Sequence, residues 1–390
     1  MLQKVKSLAA QVNPYVVEMR RHFHMHPESS LHEFETCKRI QKELAEMGIP
    51  FEVVNEIGVI AEIKGAQHGK TVALRADIDA LEIKEETGKP YASTVEGKMH
   101  ACGHDAHAAM LLGAAKVLNA VKESLCGNVR LIFQPAEELV AGAKIMIEAG
   151  CLEGVDNIFG IHVASEYPRG KVDCQVGSRM AGADMINIDV YGVSGHGSRP
   201  DRCVDAVVAT AAIVMNLQTI VAREYSPLDP TVVTVGLMNA GTRGNIIANK
   251  GRLELSVRSF LPETRQGLRD SIERIAVATG EAMRARVEVE VIPGTPPTIN
   301  EPVCTARARE AISELFGEDA LLQREPLTGS EDFAYYVERI PGAFAMMGTA
   351  PLTGPVGGHT EFFDVNEDAL QDGVALHVAY ALKALGCTKI

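Results

Sequence analysis

Residues 129–138 read Val-Arg-Leu-Ile-Phe-Gln-Pro-Ala-Glu-Glu, a short apolar run that ends in two adjacent carboxylates. An apolar run of this length, rich in branched residues and closed by a proline, predicts a buried strand. Adjacent carboxylates are usually a solvated surface pair, but Glu137 and Glu138 leave the end of a buried strand. Successive residues leaving a strand point in different directions. One of the two can therefore bind a metal while the other holds a water.

The same pattern recurs on both sides of this stretch. Short apolar runs are separated by segments with helical spacing, such as Glu35–Met47 and Ala106–Leu118. This alternation predicts an α/β domain built around a mostly parallel sheet. Three more predicted strands lead to polar residues that can bind metal: Val72–Leu74 to Asp77 and Asp79, Ile158–Ile161 to His162, and Ala343–Met347 to His359. Ligands of open α/β sheets bind beyond the carboxyl ends of the strands, so we expect these residues to converge on one rim.

A fifth contribution comes from the loop His100–His107, in which Cys102 and His104 lie two residues apart. Gly103 between them lets the backbone fold so that both side chains can face one ion. A thiolate and an imidazole suit zinc and its neighbours, whereas carboxylates also suit manganese. Alone, Cys102 could be a small buried hydrophobic residue and the histidines satisfied polar groups. Five contributors on one rim favour a metal site.

A different order of elements begins after the small-residue stretch Ser178–Ala183. The pattern predicts a β-α-β-β-α-β unit, typical of the ferredoxin-like fold. Its elements are Met185–Val193, Val204–Val221, Val232–Met238, Arg252–Phe260, Thr264–Thr279 and Arg286–Val291. The proline-rich segment 293–297 predicts a stiff linker, after which the α/β pattern resumes. We therefore predict a catalytic domain of residues 1–184 and 293–390, with an inserted domain of residues 185–292.

Length and composition exclude several classes of protein. A chain of 390 residues exceeds one comfortable core, which predicts two domains. The net charge of −13 argues against a nucleic-acid partner, because phosphate backbones demand basic surface. Neither an apolar run of about 18 residues nor a secretory signal is evident, so we expect no membrane partner. The eight cysteines are scattered without a CxxC pair, which predicts reduced thiols and a cytoplasmic protein.

Three eye-catching features are not expected to bind metal or phosphate. His22, His24 and His26 alternate at a predicted helix end and turn before Pro27, where His24 could be structural. His100 and His107 flank the metal loop, and His107 falls in a helical first turn, where it would support the site rather than bind the ion. The segment 192–197, Gly-Val-Ser-Gly-His-Gly, lacks the spacing and lysine of a phosphate-binding loop.

At these residues the chain resembles the metal-dependent aminoacylase and carboxypeptidase family, specifically its N-acyl-amino-acid amidohydrolase branch. That branch includes hippurate hydrolases and indole-acetyl-amino-acid hydrolases. The matching stretches span nearly the whole chain: Arg20-Arg21 through His24 to Pro27-Glu28, 74–81, 99–105, 133–138, Gly195-His196 with Pro200, Asn245-Ile246-Ile247, 329–333, and His359 with Phe363-Asp364.

The resemblance implies a hydrolase that cleaves the amide bond of N-acyl amino acids or related small peptides. It implies two divalent ions per subunit, zinc or manganese, that activate a water with Glu137 as general base and Asp77 supporting the metal site. The implied metal ligands are Cys102, His104, Glu138, His162 and His359. The inserted domain is implied to be a dimerisation or lid domain, so we expect a homodimer.

The resemblance also assigns residues of the inserted domain to the site. His196 matches a histidine that reaches the active site of the partner subunit, where its neutral N–H could stabilise the oxyanion. Asn245 and Arg258 match substrate-binding positions. Arginine suits a bidentate carboxylate clamp, although an arginine at a strand end is usually a surface charge.

Two alternatives remain open at the level of sequence. Cys102 could be a thiol nucleophile paired with His104 or His107, since nucleophilic cysteines also favour helix N-termini and nearby imidazoles. Such an enzyme, however, has no use for the carboxylates and histidines on the same rim. A non-catalytic binding protein that kept the fold is the second alternative. It would be expected to lose Glu137 before the ligands, and all of them are present.

Overall fold

The computed structural model describes residues 1–389, which form nine α-helices and sixteen strands. The helices are α1 Leu2–Met25, α2 Phe34–Glu46, α3 His104–Ala120, α4 Gly142–Glu148, α5 Ala206–Thr219, α6 Pro262–Ala282, α7 Pro302–Phe316, α8 Ala334–Val337 and α9 Leu370–Ala384. The strands are β1 Phe51–Val54, β2 Gly58–Lys64, β3 Lys70–Asp77, β4 Gly127–Gln134, β5 Asn157–Ala164, β6 Val172–Asp173, β7 Gly177–Met180, β8 Gly182–Tyr191, β9 Gly195–His196, β10 Thr231–Ala240, β11 Ile246–Ile247, β12 Lys250–Ser259, β13 Arg286–Pro293, β14 Thr298–Asn300, β15 Leu321–Leu322 and β16 Gly342–Gly348.

The chain forms two compact units, which are described separately. The large unit comprises Met1–Gly177, Ile299–Glu325 and the segment from Asp332 onward. The small unit comprises Ser178–Thr298 and Pro326–Glu331.

An eight-stranded sheet organises the large unit, in the order β1-β2-β4-β3-β5-β16-β6-β15. Its centre, β4-β3-β5-β16, is parallel, as the alternation of strands and helices predicted. The prediction of a mostly parallel sheet is wrong toward the edges, where β1, β2 and β6 pair antiparallel and make the sheet mixed. The reason is local at β1 and β2: three residues join them, and so short a connection permits only a hairpin.

The parallel centre is buried on both faces. Val72, Leu74 and Ala76 of β3 belong to one continuous core with residues of α1, α3 and α9, which pack together over the sheet. Helix α3 is apolar almost all round and almost wholly buried, as expected for a helix inside a core. In register, Asp77 at the end of β3 lies opposite Gln134 at the end of β4. The two strands therefore deliver their following residues to the same rim.

The small unit contains a four-stranded antiparallel sheet in the order β10-β12-β8-β13. The six predicted elements occur in the predicted order as β8, α5, β10, β12, α6 and β13. Both helices pack on one face of the sheet, over Ile186, Ile188 and Leu255. Asp205 caps α5 by accepting from the N–H groups of Val207 and Val208. Among the described helices, Ala206–Glu224 alone is long and apolar enough to cross a membrane, and core helices of soluble proteins meet the same criteria.

Candidate metal centre

The structure brings together, at one rim of the large sheet, the five side chains for which metal binding was predicted. The thiol of Cys102 lies 3.4 Å from Nε2 of His162 and 3.4 Å from Nε2 of His359. Oε1 of Glu138 lies 3.4 Å from Nε2 of His359 and 3.9 Å from Nε2 of His104. Cys102 belongs to two groups of potential ligands, one with His104 and His162 and the other with Glu138 and His359. Within each group, the potential ligand atoms all lie within 4.8 Å of one another.

Hydrogen bonds fix which ring nitrogen of each histidine faces the cluster. Nδ1 of His104 lies 2.9 Å from the Asp79 carbonyl oxygen, and Nδ1 of His162 lies 2.7 Å from the Val163 carbonyl oxygen. A carbonyl oxygen only accepts, so both Nδ1 atoms carry a proton, and Nε2 is the ring nitrogen that each side chain turns toward the cluster. Metal-binding histidines are usually oriented by such a bond from the other ring nitrogen.

Two buried polar atoms support a cation at this place. Within residues 1–389, neither Nε2 of His104 nor Oε1 of Glu138 has a hydrogen-bond partner. A buried polar atom without a partner costs free energy, which a metal ion would remove because both atoms are good donors to it. Sulfur, nitrogen and oxygen donors together fit zinc, and the carboxylate also fits manganese.

The electrostatics of the cluster suit metal binding better than thiol catalysis. Burial, reinforced by the neighbouring His107, lowers the pKa of His162 to about 3, so its imidazole is neutral. Burial raises the pKa of the Cys102 thiol well above its usual range, despite the nearby His104. Reactive cysteines have a lowered pKa, so Cys102 is poorly suited to be a nucleophile without a metal. A bound cation is what would make a thiolate stable here.

Asp77 and His107 form the support behind the ligands. Nδ1–H of His107 donates to Oδ1 of Asp77 at 2.5 Å, and its Nε2 accepts from the Val163 N–H at 2.9 Å. Both ring nitrogens of His107 are thus hydrogen-bonded, to Asp77 and to the Val163 N–H, so the side chain lies beside the candidate ligands. Asp77 is fully buried, and its other oxygen lies 3.8 Å from Nε2 of His104. Burial raises the pKa of Asp77, but Arg75, His104 and His107 outweigh it and hold the pKa well below its usual range.

Left-handed backbone positions shape the loops that carry the ligands. Gly103 has φ of +89°, and a Cβ there would lie 2.3 Å from a methyl carbon of Val163. Ala136 and His359, which are not glycines, have φ of 50° and 58°. Strained positions of this kind persist where the surrounding structure imposes them and cluster at functional sites. The N–H of Ala136 donates to Oε1 of the buried Glu33 at 2.7 Å, which holds the turn before Glu137.

The histidines of α1 do not join the metal cluster. His24 is buried and uses both ring nitrogens, with Nδ1 2.7 Å from Asp105 and Nε2 3.3 Å from Glu85. It is structural, in the sense that it ties α1 to the start of α3. Arg20 shares this role, since its fully buried guanidinium donates to Asp105 at 3.0 Å. His100 is buried beside this network, and its structural surroundings assign it no role.

No role was predicted from the sequence for Arg75, Gln134 and Asp332, although all three lie in stretches that match the family. The guanidinium of Arg75 donates to Asp77 at 2.7 Å, to Asp332 at 2.8 Å and to Gln134 at 2.8 Å. An arginine within a buried apolar strand is unusual unless it is paired, and that signal could have identified it. The N–H of Asp332 donates to Oε1 of Glu137, a side chain that is 8% exposed, at 3.3 Å.

In the small unit, His196 and Asn245 lie side by side. His196 pairs with Ile246 between β9 and β11, and the Gly197 N–H donates to the Asn245 carbonyl at 2.9 Å. Nδ1 of the exposed His196 accepts from the Ser198 N–H at 3.2 Å, which leaves the proton on Nε2.

Arg258 lies elsewhere in the small unit. It sits near the far end of β12 from the β9–β11 turn, eight residues along the strand from Lys250, or roughly 26 Å. Its guanidinium donates to Oγ of Ser256 and to the Val257 carbonyl. The structure therefore does not bring Arg258 to His196 and Asn245 within one subunit.

Known proteins resemble this chain over most of its length. The profile of Peptidase family M20/M25/M40 matches residues 73–383. The chain is 39% identical over 381 residues to an IAA-amino acid hydrolase ILR1-like 2 of Arabidopsis thaliana, covering 96% of this chain and 86% of the plant protein. It is 41% identical over 357 residues to an N-acetylcysteine deacetylase of Bacillus subtilis, covering 91% and 93%. The crystal structure of the Bacillus subtilis YXEP protein, described as a dinuclear metal binding peptidase, superposes with a TM-score of 0.87 at 37% identity, covering 97% of this chain and 99% of that one. The resemblance drawn from the sequence is confirmed.

Proposed function

Because the chain belongs to Peptidase family M20/M25/M40, we propose that it hydrolyses the amide bond of small N-acyl amino acids or related small peptides. It is an enzyme of the metallopeptidase and amidohydrolase class. The plant hydrolase and the Bacillus subtilis deacetylase, by their names, act on an amino acid joined to an acyl group. The substrate class proposed here is the chemistry that those names share.

The observation that carries the proposal is the donor cluster with Glu137 beside it. We propose that Cys102, His104, Glu138, His162 and His359 hold two divalent ions, with Asp77 supporting them. Bound metal would lower the pKa of a water and polarise the amide carbonyl. Glu137, next along the chain to Glu138, accepts the proton of the attacking water and passes it to the leaving amine. The metal is zinc or manganese by its donor set.

Glu137→Gln tests the general base. The variant keeps its metal, because Glu137 is not among the proposed ligands, and loses turnover by about 10²–10⁴-fold. Glu138→Gln is the matched control, since it changes the neighbouring carboxylate and should lose metal as well as activity. Activity is followed on N-acetyl, N-benzoyl and dipeptide substrates, and metal content by elemental analysis. Near-normal turnover in Glu137→Gln would remove Glu137 from the role of base.

We propose that residues 185–292, which make up most of the small unit, are an inserted ferredoxin-like domain that dimerises the enzyme. Its β-α-β-β-α-β order supports this assignment. Strand β10 is at the sheet edge, where its unpaired backbone groups can join another strand. Apolar side chains are exposed on β10 and on the adjacent α5, including Met238 at 43%, Val208 at 52% and Met215 at 70%. An apolar surface of this kind marks an interaction site.

Within that dimer, we propose that His196 serves the partner subunit by donating its Nε2–H to the oxyanion. The effect is worth about 10²–10³-fold in kcat. The test mixes His196→Ala with Glu137→Gln, both inactive, after dissociation and reassociation. Half of the dimers are then mixed, and each has one intact site, so about a quarter of wild-type activity returns. No recovery after verified subunit exchange would mean that His196 does not act across the interface.

Asn245 and Arg258 complete the proposed substrate site. Arg258 would bind the free carboxylate, and its distance from His196 within one subunit means that the two would serve different sites. Arg258→Ala should raise KM for N-acyl amino acids far more than for the matching amides. Arg252→Ala, which removes another arginine of β12 with partly exposed side chain, is the control. Equal effects on acids and amides would remove Arg258 from the site.

A further inference from the structure

The carboxylate of Glu137 is oriented by a segment nearly two hundred residues away in sequence. Its Oε1 accepts from the main-chain N–H of Asp332 at 3.3 Å, across a separation of 195 residues. The backbone of Glu137 is held separately, because its carbonyl accepts from the Val140 N–H at 2.7 Å. The position of the Asp332 backbone therefore helps to set where the end of the Glu137 side chain lies.

The side chain of Asp332 fixes that backbone. It is fully buried, and Oδ1 accepts from Arg75 at 2.8 Å. Oδ2 accepts from the Ala143 N–H at 2.9 Å, and Nε2 of Gln134 lies 2.8–2.9 Å from both oxygens. Gln134 is itself fixed, since its Oε1 accepts from Nε of Arg75 and from the hydroxyl of Tyr336. A fully satisfied buried network of this kind is rigid.

One guanidinium joins this network to the metal support. Nη1 of Arg75 donates to Asp77 and Nη2 to Asp332, from a side chain that is 1% exposed. The planar fork of arginine fixes the two carboxylates relative to each other in a way that a lysine could not. Asp77 lies behind the proposed metal ligands and Asp332 lies beside the proposed base. Arg75 therefore fixes the position of the base relative to the metal ligands.

We propose that Asp332 is a positioning residue for the general base, clamped through its side chain so that its N–H holds the Glu137 carboxylate. Arg75 and Gln134 form the clamp. The inference rests on the proposed role of Glu137. Asp332 acts on the substrate only through Glu137, whose carboxylate its N–H contacts. It fixes the distance between base and water, and a misplacement of about 1 Å can cost about 10²-fold in rate.

Asp332→Asn tests the clamp by replacing one acceptor oxygen with an amide while keeping size. The expected result is a fall in kcat of about 10²-fold, with KM within about threefold and metal content equal to wild type. Tyr336→Phe removes the hydroxyl that donates to Gln134 at the outer end of the clamp, and it carries less risk of misfolding. Its kcat should fall less, in the same direction.

The decisive measurement is a double-mutant cycle that combines Asp332→Asn with Glu137→Gln. If Asp332 had a merely structural role, its substitution would lower activity equally with and without Glu137. Once the base is gone, its position no longer matters. Asp332→Asn should therefore lower the residual activity of Glu137→Gln by less than twofold, far below its effect in the wild-type background. The matched control is Asp184→Asn, a buried aspartate of the small unit that accepts from Arg265 and Arg269. Its effect, if any, should be the same in both backgrounds.

Three outcomes would overturn the positioning role: unchanged kcat in both Asp332→Asn and Tyr336→Phe, loss of metal in proportion to kcat, or equal losses with and without Glu137. In each of these cases Glu137→Gln alone would still be inactive. If Glu137→Gln were instead nearly wild type, the proposed base and the positioning role would both fall. The activity of Glu137→Gln alone therefore distinguishes a failure of the proposed base from a failure of the positioning role of Asp332.

Discussion

Gly142 ends the loop that carries Glu137 and Glu138. The variant Gly142→Ala tests whether activity depends on the exact backbone position of that loop. Gly142 begins α4, and its N–H donates to the Ala136 carbonyl at 3.0 Å. A Cβ at Gly142 would lie only 1.5 Å from the Pro135 carbonyl oxygen, whereas ordinary contacts begin at 3.4 Å. The two segments would have to separate by about 2 Å, since main-chain atoms cannot yield as a flexible side chain can.

The expected loss follows from that displacement. A shift of about 1 Å at a catalytic group can cost about 10²-fold, or about 2.7 kcal/mol of transition-state stabilisation. Overpacking should also lower the free energy of unfolding by about 1–3 kcal/mol. The assay is kcat/KM on the best substrate of the screen, with metal content and thermal unfolding measured on the same samples.

Gly236→Ala on β10 is the matched control. Its Cβ would meet nothing nearer than 3.9 Å within the subunit, so the same change in composition should leave kcat/KM within about twofold of wild type, measured on a sample whose dimer size is verified because β10 is also the proposed dimer edge. If Gly142→Ala kept kcat/KM within twofold of wild type with full metal content, the loop would be more compliant than the geometry indicates. The assignment of a rigidly held base would then fail.

Three further predictions concern the metal, its support and the small unit. Removing metal with a chelator should abolish activity and lower the thermal midpoint, since metal at 100 times its Kd contributes about 2.7 kcal/mol, and an unchanged midpoint would contradict a structural contribution. His107→Ala should weaken metal affinity by about 10–100-fold by freeing Asp77, as measured by competition with a chromogenic chelator, and unaltered affinity would remove His107 from the support. Asp184, despite its burial, has its pKa lowered by Arg269 and Arg265, so its stabilisation is present above the unfolded pKa of about 3.9 and is lost as the pH falls through the lower folded pKa. Asp184→Asn should therefore unfold at lower urea than wild type at pH 7 and approach wild type below about pH 4, whereas a gap independent of pH would count against the ion pairs.

Local pattern was enough to find the chemistry of the site. The strand Val129–Phe133 and its carboxylates are read directly from residue order, because strand period and turn residues are local properties. Parallel pairing at the centre of the sheet then followed from the alternation of strands and helices, and with it the convergence of Cys102, His104 and His162 on one rim. The order of elements in the small unit could also be predicted from local pattern, because each helix and strand has its own hydrophobic periodicity.

Contacts between residues far apart in the chain could not be predicted from local sequence pattern. Arg75 and Asp332 are 257 residues apart, and neither position alone indicates which carboxylate the guanidinium meets. The proton positions on His104 and His162 depend on which carbonyl each ring meets. Strand β6, which lies between β16 and the edge strand β15, pairs antiparallel to β16 and parallel to β15, and its two residues alone do not indicate either direction.

The amino-acid sequence by itself identified the candidate ligands, the strands and the loop that carry them, and the family to which the chain belongs. Only the tertiary structure decided how the side chains around the candidate ligands are paired. His107 is hydrogen-bonded to Asp77 and to the Val163 N–H, and Arg75 forms ion pairs with both Asp77 and Asp332. Arg258 lies far from His196 along β12. The physical reason is that ligand types follow from side-chain chemistry at each position. Orientation and partnership follow from packing, which fixes contacts between residues that no local pattern relates.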